Sequence, residues 1–136
     1  MSDLSNSDLY MLMNLSTRPL WLADADLSAA VLQHADLEGA DLRRANLAGS
    51  NLSGANLQSA HLEGTNLIRA NLQGANLSGA TLINADARGA NLHGAVLDGA
   101  TTGGMHYNSE TRWPADTDPE ALGAILADSH DWLGAS

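Results

Sequence analysis

The sequence predicts an all-β solenoid, a coil of short extended sides joined by tight corners, and three observations carry that expectation. Sixteen five-residue units run in one unbroken frame from Ala25 to Gly104, and a strict period is the signature of a repeat architecture. The first position of a unit is always small, Ala in fourteen cases with Ser50 and Thr65 as the others. The third is Leu fourteen times, departing only at Ala87 and Thr102. Glycine ends ten of the sixteen units. A period of five fits neither the roughly 3.6 residues of a helical turn nor strand alternation. Glycine inside a helix costs about 1 kcal/mol relative to alanine, which excludes a long helix. Simple alternation would throw every second Leu onto the opposite face. A coil with one side per pentapeptide is what remains, with Leu and the small residue two before it pointing inward. Gly, Asn and Asp suit the corners, because they enter left-handed backbone or bond their own main chain.

The units ADLEG at 35–39 and ANLSG at 75–79 state the motif, A(D/N)LXX, in full. In this the chain resembles the pentapeptide repeat family over 80 residues in register. The resemblance implies a right-handed, four-sided parallel β-helix with four units to a turn, so that residues twenty apart stack in columns. Leu20-Trp21-Leu22-Ala23-Asp24 keeps the frame, which places the coil at 20–104, slightly over four turns and on the order of 20 Å long at the usual strand spacing. The expected core is Leu37, Leu42, Leu47, Leu52, Leu57, Leu62, Leu67, Leu72, Leu77 and Leu82. Ala87 interrupts the column of Leu27, Leu47 and Leu67.

A stack has two open ends that solenoids cover with caps. Residues 1–19 are the N-terminal candidate. Leu9, Leu12 and Met13 have helical spacing and Pro19 stops it, while SDLSN and SDLYM at 2–11 read alternatively as two degenerate units. Residues 105–136 are the C-terminal cap. Asp118-Pro119-Glu120 is a helix-start signal, so a helix is expected from about 119, with Leu122, Ile125, Leu126 and Leu133 as its apolar stripe. This stripe serves cap packing or a dimer surface. The stretch also resembles the tail that follows the coil in many family members, with Tyr107, Thr111, Trp113, Pro114 and Asp118-Pro119 as its skeleton.

Composition narrows the function classes. Phe is absent, and the three Trp and two Tyr lie outside the sixteen units, so the core is Leu and Ala rather than aromatic. There is no Cys, hence no disulfide framework or thiolate metal site. The net charge is −10, of which the coil carries −4 and the tail from 105 carries −5, and there is no Lys. An acidic balance argues against direct nucleic-acid binding. No apolar run approaches the ~18 residues of a membrane span, and Met1-Ser2-Asp3-Leu4 lacks a signal-peptide start. A cytoplasmic chain without membrane contact is expected.

No catalytic, cofactor-binding or metal site is expected. His34 and His93 fall on one side but about three turns, near 14 Å, apart, far beyond the ~2 Å reach of one metal's His bonds. Asp36, Glu38 and Asp41 are the densest acidic group, on a convex surface without a predicted cleft, and no serine sits in a nucleophile elbow. Arg43 and Glu63, twenty apart, are expected to stack as a surface ion pair. Ile68 and Ile83 occupy outward fourth positions and mark a possible contact patch. The leading expectation is a non-catalytic structural or protein-interaction module without a cofactor, with an unidentified protein partner, monomeric or a homodimer through the C-terminal helix. The alternative comes from the resemblance: some family members mimic DNA and bind DNA gyrase.

Overall fold

Each unit folds in the same way, for local reasons. The computed structural model describes residues 20–127. The second residue of a unit is extended and bridges in parallel to the residue twenty positions on, as in Asp41 with His61, Asn51 with Asn71 and Asn66 with Asp86. The chain then turns, and the next unit's first N–H donates back to the Leu carbonyl: Ala45 to Leu42 and Ala75 to Leu72, both at 3.0 Å. The fifth residue of every unit has positive φ, from 57° at Ala29 to 74° at Gly104. Glycine enters that region without a Cβ penalty, which explains its frequency there. The Asp or Asn at position two supplies a further acceptor. Its Oδ1 takes the N–H two residues on, from Gln73 to Asn71 at 3.1 Å and from Ile68 to Asn66 at 3.0 Å. This Asx turn pins the corner with the unit's own side chain.

Because bridged residues are four units apart, the units stack into four sides. Side one holds 25–29, 45–49, 65–69 and 85–89. Side two holds 30–34, 50–54, 70–74 and 90–94. Side three holds 35–39, 55–59, 75–79 and 95–99. Side four holds 20–24, 40–44, 60–64, 80–84 and 100–104. First and third positions fill the interior. Leu32, Leu52, Leu57, Leu62, Leu72 and Leu77 have no exposed surface, and Leu37, Leu42, Leu47, Leu67 and Leu82 are as deeply buried. The alanines between them, such as Ala35, Ala55 and Ala75, are also fully enclosed. Where a hydroxyl replaces Ala, Thr65 donates to the Leu42 carbonyl at 2.8 Å, whereas the buried Ser50 Oγ has no partner. Ala87, where Leu is the rule, is itself buried, and Met105, buried at a first position, belongs to the same continuous core.

The coil does not end at Gly104. His106 bridges to Asp86 and Arg112 to Asn91. The second spacing is one residue longer, absorbed in the turn where the Thr111 N–H donates to the Asn108 carbonyl at 3.0 Å. His106–Tyr107 form strand β1, and Ile125–Leu126 form strand β2 parallel to it. Tyr107 and Trp113 meet edge to face at 5.4 Å, and Trp113 packs against the core.

The helix expected from about 119 does not form over the described residues. The start signal works, with the Glu120 N–H donating to Asp118 Oδ1 at 3.1 Å, but it yields a single turn. The Ala124 N–H returns to the Pro119 carbonyl at 3.0 Å, and Gly123, at φ 76°, ends it. A better alternative is in reach: the last turn of the coil offers in-register carbonyls, and Ile125 and Ala127 donate to Met105 and Tyr107, both at 2.7 Å. Capping signals specify a first turn; here sheet pairing takes the rest. The expectations for residues 1–19 and for Leu133 lie outside the described residues.

The stacked columns predict a gradient of sensitivity. Leu57→Ala, enclosed above and below, is expected to cost roughly 2–5 kcal/mol. Leu22→Ala, at a half-buried position in the entry unit, is expected to cost less than half as much. Denaturant melts of both variants check this, and equal small losses would contradict stacking.

Candidate interaction faces

With first and third positions committed to the core, the second, fourth and fifth positions carry whatever the molecule presents to solvent. The ladder holds them in flat columns at about 4.8 Å spacing. Ile83 is on side four and 37% exposed; Ile68, on the adjacent side one, is half-buried, with its N–H held by Asn66. Ile83 stands beside Thr81 in its own unit, at the end of side four where Thr81 bridges to Thr101, and Ile68 follows Ala48 in its own column. Larger apolar exposures occur elsewhere: Trp21 at 88%, Leu126 at 54% and Ile125 at 49%. Val31 on side two and Val96 on side three are exposed too. Sequence reasoning passed over Trp21, Val31 and Val96. Their signal was available, since each puts an apolar residue at the outward second position where Asp or Asn is the rule. Ile125 and Leu126 were assigned to a helix stripe and are instead the final strand.

Charge is concentrated at the entry end of side four. Arg43 does not pair with Glu63. It lies flat against Asp41 of its own unit, with Nε to Oδ1 and Nη2 to Oδ2 both at 2.8 Å, because an i, i+2 partner on one side needs no reach between turns. Arg44 instead spans a turn to Asp24, at 2.9 and 3.1 Å. Arg88 is held by Asp86 in the same way as Arg43. Glu63 lies 4.0 Å from His61. The Arg43–Asp41 and Arg44–Asp24 pairs lie at the surface and are each worth about 0–1 kcal/mol, whereas the Arg88 side chain is largely buried. Their effect on titration is plain. The Arg43 guanidinium donates to Asp41 and holds its carboxyl at about 2. Arg44 lowers Asp24, and the Ser28 hydroxyl and N–H lower Asp26.

Trp21, Gly39, Asp41, Arg43 and His61 line one shallow, open depression, whose charged groups are already engaged with each other. Asp36 and Glu38 lie on side three and accept weakly from the Asn56 amide at 3.4 and 3.5 Å; Asp41 is around the corner on side four. His34 and His93 are on side two, three turns apart, and His61 and His106 are on sides four and one. Among the described residues, no group of three or more His, Cys, Asp or Glu is placed to hold a metal ion.

Comparison with known proteins agrees with this geometry. A family model described as pentapeptide repeats matches residues 25–64 and 65–101 in eight copies. The chain is similar to the solved structure of Rfr23, a pentapeptide repeat protein from the cyanobacterium Cyanothece 51142. The two share 41% identity over 73% of this chain and 67% of that one, with a TM-score of 0.70. It is also similar to alr5209, a pentapeptide repeat protein from Nostoc Pcc 7120, at 33% identity over 90% and 93% of the two chains, with a TM-score of 0.50. A trypsin-treated form of QnrB1, a plasmid-mediated fluoroquinolone resistance protein, shares the fold at 20% identity over 85% and 71%, with a TM-score of 0.54. No curated protein matches the chain.

The Asp41–Arg43 pair makes a titration prediction. Arg43→Gln is expected to move the Asp41 carboxyl up from about 2 toward the usual value of 3.8, read by carboxyl-carbon NMR. Because the folded value is depressed, the pair's stabilisation is present above the unfolded carboxylate range and is lost as pH falls toward 2. The variant should therefore lose slightly less stability on acidification than the wild type. An Asp41 titration that does not move would contradict the pairing.

Proposed function

This chain belongs to the pentapeptide repeat family, and on that footing we propose that it is a non-catalytic protein-interaction module whose flat lateral faces dock a protein partner. The observation that carries this reading is the exposure of apolar side chains at ladder positions, Trp21, Val31, Val96 and Ile83, the last on the end of side four that carries Thr81, Asn84 and Thr101 and no charge. Side chains fixed on a ladder lose little further freedom on docking, which lowers the ordering cost of association.

The gyrase-binding alternative has less support, and a magnitude decides it. DNA carries one negative charge per about 1.7 Å of axis; a coil about 20 Å long would need about twelve to match it. The units from 20 to 104 carry eight carboxylates, and Asp24, Asp41 and Asp86 of these are tied to arginines. Side two has no carboxylate in any of its units.

Affinity capture with Ile83→Asp beside the wild type tests the proposal. The expected result is one stoichiometric protein partner retained by the wild type and lost by the variant, with the coil's circular dichroism unchanged. Partner capture that ignores Ile83 and every other exposed apolar ladder residue would count against it. Potent inhibition of gyrase supercoiling at micromolar protein, abolished by neutralising Asp36, Glu38 and Asp41, would put the alternative in its place.

A further inference from the structure

The entry end of side four holds a shallow depression with a volume of about 380 Å³, lined by Trp21, Gly39, Asp41, Arg43 and His61. The repeat itself brings these groups together. Trp21, Asp41 and His61 are second positions of successive turns on this side, linked by bridges, so they rise in one column at about 4.8 Å spacing. Arg43 is the fourth position of the Asp41 unit. Gly39 ends the unit before it and leaves the adjoining corner without a side chain. Trp21, at 88%, has the largest exposure of any large apolar residue among those described.

What these groups offer decides the ligand. The charges of Asp41 and Arg43 cancel, with Nε on Oδ1 and Nη2 on Oδ2 both at 2.8 Å. Neither group is used up. A guanidinium has more N–H donors than the two that Arg43 spends here, and a carboxylate oxygen accepts more than the one bond made to Asp41 Oδ2. The His61 ring makes no hydrogen bond among the described residues, its Nδ1 lying 4.0 Å from Glu63 Oε1. A free anion gains little on a guanidinium that Asp41 already neutralises, and it approaches a chain of net charge −10. A cation gains as little on a carboxylate already paired with Arg43. A wholly apolar ligand covers the pair without bonding it, which is costly. The ligand that fits is neutral, with a flat C–H face for the electron-rich indole and an edge that both donates and accepts. A pyranose sugar has this chemistry, with its axial C–H groups on the face and its equatorial hydroxyls on the edge. A nucleobase is flat too, but a nucleotide brings a phosphate to a chain that has no lysine to neutralise it.

We infer that this depression binds a neutral sugar, one pyranose ring stacked on Trp21 with its hydroxyls bonded to Asp41, Arg43 and His61. The Asp41–Arg43 pair is ordered before the ligand arrives, so little freedom is lost on binding, and bonds to charged groups are stronger than bonds between neutral ones. Arg43 holds the Asp41 carboxyl at about 2, which keeps it an acceptor at neutral pH. The depression is open, so one face of the ring stays in water and a single ring binds weakly, with a dissociation constant of about 1–10 mM. Above His61 the same column continues as Thr81 and Thr101, which offers hydroxyls to further rings of an oligosaccharide. The inference goes beyond a protein partner at Ile83, and either can fail alone.

NMR titration of the isotope-labelled full chain with the methyl glycosides of glucose, galactose, mannose and N-acetylglucosamine, each to about 50 mM, reads a site of this strength. At least one of them is expected to shift the Trp21 indole N–H signal saturably, with the backbone signals of Asp41 and Arg43. Trp21→Ala identifies the indole signal and should abolish the backbone shifts; the side chain is exposed, so its loss leaves the core intact. Asp41→Asn keeps the Asx acceptor, as Asn51 and Asn71 do in their units, and should weaken binding about tenfold by removing a charged acceptor. Circular dichroism should show the coil unchanged in both variants. The uronic acid and the amino sugar of the same ring should bind about threefold or more weakly than the neutral glycoside, because each charge meets a like charge in the pair. Ile83→Asp, which tests the protein partner, should leave sugar binding as it is. No shift with any of these sugars overturns the inference and leaves Trp21 to a protein partner. Backbone shifts that survive Trp21→Ala, binding that Asp41→Asn leaves untouched, or a charged ring that binds as tightly as the neutral one overturn it as well. So does a Trp21 indole shielded from acrylamide in the free chain, judged by the fluorescence that Trp21→Ala removes, because the platform is then already covered.

Discussion

The structure depends on one steric constraint, the narrowness of the coil's interior. Four short sides enclose a space that admits one Leu and one Ala-sized residue per side per turn, and little more. Leu57, Leu62, Ala55 and Ala60 have no exposed surface, so the interior is at its limit. Dense interiors lose dispersion contacts when a group is removed and strain when one is added. That is why the first and third positions of the repeat hardly vary. Where a threonine departs from the rule its hydroxyl is satisfied locally: Thr65 bonds a carbonyl of the preceding turn and Thr102 bonds the Leu122 carbonyl.

The same constraint frees the exterior. Once the core takes two positions and the left-handed corner takes a third, the remaining side chains carry no packing duty. They differ from side to side without disturbing the backbone. Side four carries ion pairs at one end and Ile83 at the other, side three carries acids, and side two carries amides. A fold of this type separates its stability from its recognition surface more completely than a globular core does, because inward and outward residues alternate along one ladder. The Asx turns join the two. Asn71 is a surface residue, yet its Oδ1 holds the corner beside it. This explains why position two is conservative in chemistry while position four is not.

The coil was legible in the sequence because its cause is periodic. A five-residue frame with Leu and Ala at fixed places leaves the backbone few alternatives, and the glycines marked the corners. The number of sides was not legible from the period and came only with the family resemblance. The end of the coil was misread for a physical reason. Asp118-Pro119-Glu120 is a sound helix start, but local capping competes with an open sheet edge, and only the fold shows that His106–Tyr107 lies ready to pair with Ile125–Leu126. Arg43 was assigned to Glu63 by column arithmetic, which ignores that Asp41 is nearer along the same side. Of the candidate surface, Ile83 could be named from its place in the frame. Trp21, Val31 and Val96 could have been, had position two been read as strictly as position three.

The central claim, that small and large inward residues fill one narrow interior, is tested most directly by placing the same side chain at an inward and an outward position. Ala70 is buried and Gln73, three residues on, is exposed. Chemical denaturation of Ala70→Leu and Gln73→Leu compares them within one unit. The account predicts a loss of about 1–3 kcal/mol or more for the first, as overpacked cores show, and little change for the second. An Ala70→Leu variant as stable as the wild type would mean that the interior has room to spare, and the constraint on which this description rests would be wrong.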